Sequence, residues 1–181
     1  MNWKNTTKRY GSLTILLHWL MLFLLVAVYS CIDLREIFPK GSEPRDLLKT
    51  WHFMLGLMVF ALVWLRLAVR LSGPVPHSEQ DPFWQRVLAK FVHFALYALM
   101  IVMPLLGWLM LSAAGKPIPF FGLHLPALIS EDKDLSSLFK EIHETIGTMG
   151  YFLVAAHVLG ALYHHYIKKD DTLSRMLSSG H

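Results

Sequence analysis

The chain has 181 residues, of which 54% are hydrophobic and only 17% are charged, and its mean hydropathy is +0.42. Because a soluble domain averages about 25% charged residues, this composition excludes an ordinary soluble protein and predicts a single membrane domain over residues 1–181. The formal net charge is +4, but the basic residues form no continuous stripe, so no nucleic-acid partner is expected.

Four segments are long enough to cross a bilayer as helices, which takes about 20 apolar residues. They cover about 13–32, 51–71, 91–114 and 142–167, and the third contains Pro104. Backbone groups in lipid must be hydrogen-bonded inside the protein, and runs of this length without alternating polarity form helices. The sequence therefore predicts an all-α protein, an integral membrane four-helix bundle surrounded by lipid.

The distribution of basic residues predicts the orientation of the bundle. Ten of the 17 Lys and Arg residues lie at the two termini and in the loop between the second and third segments, and seven lie in the other two loops. With the acidic residues included, the first side carries a net charge of +6 and the second side −2. The positive-inside rule then places both termini in the cytoplasm.

The connections and the single cysteine give weaker signals. Residues 72–82 form a polar linker with three prolines, and residues 115–134 form a longer outer loop whose aromatic first half is expected at the membrane interface. Cys31 has no partner for an internal disulfide, and the chain lacks a C-x-x-C-H motif for covalent haem. We expect Cys31 to be a small, buried, apolar residue.

The fourth segment is unusual because a membrane helix normally avoids ionisable side chains. The stretch "KEIHETIGTMGYFLVAAHVLGALYHH" contains His143, His157, His164 and His165. Fourteen residues separate the first two, which is about 40° short of four full turns, so His143 and His157 share one helix face and lie roughly 21 Å apart along the axis. Glycines lie between them on that face, which leaves room for a flat macrocycle, although small residues also permit close helix packing.

Alternating spans place the histidines at two depths. His52 and His143 lie near the outer side, whereas His157 lies near the inner side together with His18 or His93. Facing imidazoles inside a helical bundle can serve as the two axial ligands of a b-type haem, and ionisable residues within a membrane are candidates for functional sites. The pattern therefore predicts two non-covalent, bis-histidine b-type haems, and leaves the inner partner of His157 open.

Two other interpretations compete with haem binding. A single membrane histidine is often a hydrogen-bonded packing residue, and the chain would then be a haem-free structural membrane protein. Zinc is the alternative metal, but it usually needs three or four protein ligands in one place. Two pairs about 20 Å apart do not supply such a cluster.

Two arginines on the second segment are candidates for contacts with haem propionates. Arg66 follows His52 by fourteen residues, so it shares that face at the inner depth and could form charge-assisted bonds with propionate groups. Arg70 lies one turn further along, and simple anchoring at the inner interface explains it equally well.

The remaining histidines divide into candidates for a quinone site and residues without a predicted role. His164 lies two turns beyond His157 on the same face, where a small polar ligand such as a quinone head group could bind, and His93 competes for that role. We expect His165 at the interface. No role is predicted for His77, His124 and His181.

Five stretches carry a resemblance that covers nearly the whole chain. They are "LLHWL", "WHFMLGL", "HFALYALMIVMPLLGWLM", "KEIHETIGTMGYFLVAAHVLGALYHHY" and "KDDTLSRM". With them the chain resembles the bacterial cytochrome b561 family. The resemblance implies a diheme cytochrome b in the bacterial inner (cytoplasmic) membrane, with the inner haem held by His18 and His157 and the outer haem by His52 and His143.

The resemblance also implies an activity, that of an oxidoreductase. Electrons from superoxide, which is oxidised to O2 near the outer haem, would pass to ubiquinone near His164. The alternative is a cytochrome b membrane-anchor subunit that passes electrons between a hydrogenase or dehydrogenase complex and quinone. Short outer loops and the lack of a large soluble extension favour action without an obligate protein partner. A cationic outer surface would speed capture of superoxide, but the outer loops are net negative.

Overall fold

A computed structural model describes residues 3–7, 9–74, 76 and 82–177. It contains four long helices, α1 (Ser12–Leu34), α2 (Glu43–Leu71), α3 (Phe83–Ala113) and α4 (Lys133–Tyr163). All four are long and apolar enough to cross a membrane, which confirms the predicted four-helix membrane fold. The orientation of the termini stays a prediction, so "inner" below denotes the end of the bundle that carries both termini and "outer" the opposite end. His77 and His181 lie outside the described residues.

Shorter elements complete the described part of the chain. A turn of 3-10 helix follows α1 at Arg35–Ile37, a π-helical turn follows α4 at His164–Lys168, and a last short helix, α5, covers Ser174–Leu177. The outer loop contains two short strands, β1 (Ile118–Phe120) and β2 (Leu123–Leu125).

The predicted starts of three helices were wrong by two turns or more. The helices α2, α3 and α4 begin at residues 43, 83 and 133, not at 51, 91 and 142. An apolar run detects only the part of a helix that lies in hydrocarbon, whereas polar first turns extend the helix into water. At the start of α4, for example, the Asp132 carboxylate accepts the backbone N–H groups of Asp134 and Leu135, a standard N-cap.

The antiparallel hairpin in the outer loop was not predicted from the sequence. Phe121 and Gly122 connect its strands, and both have positive φ values, 45° and 85°, as tight hairpin turns require. The side chain of Ile118 is buried against α2 and α3. The hairpin therefore covers the outer ends of these two helices.

The bundle is tightly packed on one side and open on the other. Its main buried cluster joins α1, α2 and α3 and consists of Met21, Leu24, Val59, Val63 and Met100. Helix α4 packs along α3 but does not pack closely along α1 or α2. In the part of the chain that the structure describes, Gly150 is the one buried residue of α4. A cleft therefore separates α4 from α1 and α2. Cys31, in the outer part of α1, is half-buried and not buried as expected.

Tyrosine hydroxyls connect helices α1 and α4 in the outer half of the bundle. The Tyr29 hydroxyl donates a hydrogen bond to the backbone oxygen of Gly147 (2.9 Å), and Gly150 leaves the space in which that hydroxyl lies. Next to it, the Tyr151 hydroxyl lies 2.8 Å from both carboxylate oxygens of Asp33. These contacts connect the two walls of the cleft between the depths of the histidines.

Candidate functional site: histidine pairs in the α4 cleft

Two pairs of imidazoles bridge the cleft. The ring centroids of His52 on α2 and His143 on α4 are 6.1 Å apart, and those of His18 on α1 and His157 on α4 are also 6.1 Å apart. All four side chains are partly buried. The structure thus brings together the histidines that the sequence placed at equal depths.

The spacing of these rings suits a shared metal atom. A bond between a metal and an imidazole nitrogen is about 2 Å long, so two rings on opposite sides of one metal have centres roughly 6 Å apart. Both pairs match that separation. Among the described residues, no group of three or more His, Cys, Asp or Glu side chains is arranged to hold a metal ion, so the donor set is one of pairs and not of the larger clusters that zinc prefers.

His93 also lies beside the inner pair. Its ring centroid is 5.3 Å from that of His157, closer than either of the two bridging pairs, and its Nδ1 lies 2.7 Å from the backbone oxygen of Ala89 on its own helix. His157 therefore contacts both of the candidates that sequence depth could not separate.

The hydrogen bonding of the His52 ring also fits metal binding. Nδ1 of His52 lies 3.0 Å from the backbone oxygen of Val28. Because a carbonyl can only accept, this Nδ1 carries the proton and leaves Nε2 for a metal. His52 therefore has the arrangement that is usual for a histidine ligand.

Open space adjoins the outer pair. Gly56 lies one turn after His52 and is half-buried, yet a Cβ atom at that position would meet no atom within 4 Å. On the other side, a Cβ at Gly107 of α3 would lie 3.5 Å from Cε1 of His143. The rings therefore border a filled space toward α3 and an unfilled one along α2. The unfilled side is where we expect a flat macrocycle to lie, and sequence reasoning had not identified Gly56.

Positive charge lies beside the inner pair. A guanidinium nitrogen of Arg66 lies 2.8 Å from Nδ1 of His18, and the same guanidinium lies 5.6 Å from the centre of the Tyr97 ring. Below it, burial raises the pKa of Tyr10, and the positive charges of Arg70 and Arg175 oppose that shift. These arginines at the inner end of the bundle suit an acidic group such as a propionate.

The end of α4 carries a second polar group. Nδ1 of His164 lies 2.5 Å from Oδ2 of Asp170, which sequence reasoning had missed. The sequence offered one signal for this pair, the "KDDTLSRM" stretch. It supported the family resemblance, but no role was predicted for its first acidic residue, Asp170. The ring of His165 packs on that of Tyr166, and His124 is exposed in the hairpin.

Comparison with known proteins agrees with this geometry. A family model described as prokaryotic cytochrome b561 matches residues 9–179. The chain belongs to this family. Cytochromes b561 bind b-type haem and transfer electrons, so the chain is a multi-pass bacterial membrane oxidoreductase of the cytochrome b561 type. The family resemblance is therefore confirmed, whereas the roles of individual histidines and arginines stay predictions.

Three relatives are similar over nearly their whole length. Cytochrome b561 homolog 1 of Escherichia coli strain K12 is 38% identical over 173 residues, which is 93% of this chain and 97% of that protein. Probable superoxide oxidase CybB of Yersinia pestis is 35% identical over 171 residues, or 94% and 96% of the two chains. Cytochrome b561 homolog 2 of the same E. coli strain is 30% identical over 183 residues, or 98% and 95%.

Proposed function

We propose that this cytochrome b561 takes electrons from superoxide at the outer side of the bacterial inner membrane and delivers them to ubiquinone at the inner side. The observation that carries the proposal is the presence of two imidazole pairs, each with ring centroids 6.1 Å apart, at two depths of one cleft. Bound haem would supply the one-electron chemistry that both half-reactions need. His52 and His143 would hold the outer haem, and His18 and His157 the inner haem.

The choice of His18 over His93 rests on spacing and charge. The separation of His18 from His157 equals that of the outer pair, whereas His93 is closer to His157 than two rings on opposite sides of one metal would be. His18 also lies against Arg66, which could pair with a propionate once a haem is bound. The family resemblance points to the same histidine.

Superoxide as the donor is supported by one relative, whose name is probable superoxide oxidase CybB. Two superoxide ions would lose one electron each and become two molecules of O2. The outer loops attract the superoxide anion only weakly, because acidic side chains neutralise several of their cations. Arg35 and Arg45 are ion-paired with Glu36, and Lys49 is ion-paired with Asp46. We therefore expect capture of superoxide to depend on a short path to the outer pair and not on long-range steering.

Ubiquinone as the acceptor is assigned to the inner end of α4. His164 lies seven residues after His157, or roughly 10 Å further along the axis, and its side chain is 20% exposed. An imidazole at the membrane boundary can bond a quinone oxygen while the isoprenoid tail stays in lipid. His93, the competing candidate, packs directly against His157 and leaves less room for a second ligand.

The test begins with haem content per chain in the purified protein, measured by reduced-minus-oxidised spectra. Superoxide is then supplied as reductant, superoxide dismutase serves as the control that must abolish the reduction, and ubiquinone-1 is added last. Two haems that superoxide reduces and ubiquinone reoxidises would support the proposal. Two haems that superoxide does not reduce, together with a co-purifying metalloenzyme, would favour the alternative that the chain is a membrane-anchor subunit. A protein without haem would overturn both.

A further inference from the structure

The carboxylate of Asp170 and the imidazole of His164 lie together at the inner end of α4. The quinone site proposed above uses only the imidazole. Oδ2 of Asp170 lies 2.5 Å from Nδ1 of His164, and Oδ1 accepts the backbone N–H of Thr172 at 2.9 Å. The chain reverses between the two residues, because Lys169 adopts a left-handed conformation with φ of 55°. The backbone N–H of Asp170 also donates to the backbone oxygen of His164 at 3.2 Å. Backbone and side chain therefore both hold the pair together.

The carboxylate of Asp170 is ionised at neutral pH. Burial raises its pKa, but hydrogen bonds from Thr172 and His164 outweigh burial, so that the pKa lies below the usual value for aspartate. An ionised carboxylate can only accept hydrogen bonds. Nδ1 of His164 therefore carries a proton, and Nε2 is the ring nitrogen left for a ligand. Both side chains are partly open to water, at 20% and 24% exposure.

We infer that Asp170 positions His164 as a proton donor to the bound quinone, an inference that rests on the proposed function. Reduction of a quinone to a quinol consumes two electrons and two protons. The electrons would arrive from the inner histidine pair. One proton would come from Nε2 of the His164 imidazolium, whose N–H bond breaks as an O–H bond forms on a quinone oxygen. Water on the inner side would supply the second proton and reprotonate Nε2.

Asp170 would act only through His164, since its oxygens are occupied by that ring and by Thr172. Its negative charge would stabilise the imidazolium before transfer and would keep the proton on Nδ1 afterwards, as the carboxylate does in other carboxylate–histidine pairs. A purely structural role is the competing explanation, because Asp170 also closes the turn after α4. That role predicts lower stability after substitution, but no specific loss in the rate of quinone reduction.

The adjacent residue provides a matched control. Asp171 is exposed, and its backbone oxygen accepts the N–H of Arg175 in α5. Asp171→Asn therefore makes the same chemical change as Asp170→Asn, one residue away, without touching His164. Asp170→Glu keeps the carboxylate and tests for rescue.

The experiment uses the full-length, haem-loaded protein in detergent. Haem is reduced with a stoichiometric amount of dithionite, so that no excess is left to reduce the quinone directly, then mixed rapidly with increasing ubiquinone-1 and followed by its absorbance during reoxidation. For Asp170→Asn we expect the rate at saturating quinone to fall about tenfold or more, with an upper limit of the roughly 10²–10⁴-fold that general acid catalysis contributes, because His164 itself is still present. We expect the half-saturating quinone concentration, the haem content and the Tm to stay close to wild type. Asp170→Glu should recover most of the rate, and Asp171→Asn should match wild type. Adding Asp170→Asn to His164→Gln should cause no further loss.

Each contrary result has a distinct meaning. A wild-type rate in Asp170→Asn would overturn the inference and leave the quinone site intact. A slow rate that comes with lost haem or a lowered Tm would show a structural role for Asp170 and overturn the inference as well. So would an equally slow rate in Asp171→Asn. Failure of ubiquinone to reoxidise the wild-type protein would overturn the proposed function, and this inference with it.

Discussion

A guanidinium nitrogen of Arg66 lies 2.8 Å from Nδ1 of His18. Because a guanidinium only donates hydrogen bonds, this Nδ1 accepts, and the proton of the neutral ring lies on Nε2. A metal-bound histidine normally has the opposite arrangement, with Nε2 on the metal and the proton on Nδ1. Binding of a metal at Nε2 of His18 would therefore break the bond to Arg66 and leave the guanidinium available for an acidic group nearby.

Substitution of Arg66 should change the inner haem more than the outer one. We expect Arg66→Gln to lower the midpoint potential of one haem by several tens of millivolts, because a nearby positive charge favours the reduced form, and about 60 mV corresponds to a tenfold change for one electron. Potentiometric titration would measure both potentials. Arg70→Gln is the matched control one turn away and should have a smaller effect. Unchanged potentials in Arg66→Gln would contradict the propionate assignment.

Removal of one outer ligand should remove one haem. We expect His143→Ala to reduce the haem content from two per chain to one, because its partner His52 cannot hold a haem alone with the same strength, whereas the inner pair is intact. Pyridine haemochrome spectra against protein concentration would give the ratio. Both haems intact in this variant would refute the assignment of His143.

The choice between His18 and His93 can be tested directly. We expect His18→Ala to lose one haem and His93→Ala to keep both, since the His18–His157 spacing of 6.1 Å equals that of the outer pair while the His93–His157 spacing is 5.3 Å. The same spectra decide the question. The reverse pattern would make His93 the inner ligand and would leave His18 as the residue that anchors Arg66.

The sequence could predict the depths of these histidines but not their rotation about the helix axes. Helical period and alternating topology determine how far along each span a residue lies, so the pairing of His52 with His143 followed from counting. His18 and His93 have the same depth on two helices that both face His157, and only packing separates them. Asp170 could not be paired with His164 because the pairing needs a left-handed conformation at Lys169, which is uncommon for a residue other than glycine.

The unfilled space beside Gly56 should be required for haem. We expect Gly56→Leu to reduce the haem content to about one per chain, because the larger side chain would fill the open side of the His52 ring, where a Cβ meets no atom within 4 Å. Ala61→Leu, on the exposed face of the same helix, is the control and should keep both haems. Equal haem content in the two variants would mean that the outer macrocycle lies elsewhere.

Gly150 should matter for stability because the hydroxyl of Tyr29 occupies the space beside it. A Cβ there would collide with that hydroxyl and would lie 3.3 Å from Cδ2 of Leu99, so we expect Gly150→Ala to destabilise the bundle by about 1–3 kcal/mol, as overpacking does. The free energy of unfolding in detergent would measure the loss.

Tyr29→Phe separates this collision from a general effect of alanine in α4. The substitution removes the hydroxyl, and with it the hydrogen bond to the backbone oxygen of Gly147. We therefore expect Gly150→Ala to cost less in the Tyr29→Phe background than in wild type, with a coupling energy of about 0.5 kcal/mol or more, which is typical of residues in contact. Gly147→Ala is a milder comparison, since its Cβ would meet the flexible end of Met103 at 3.3 Å. Equal losses in both backgrounds would show that the contact of α1 with α4 does not depend on this glycine and hydroxyl.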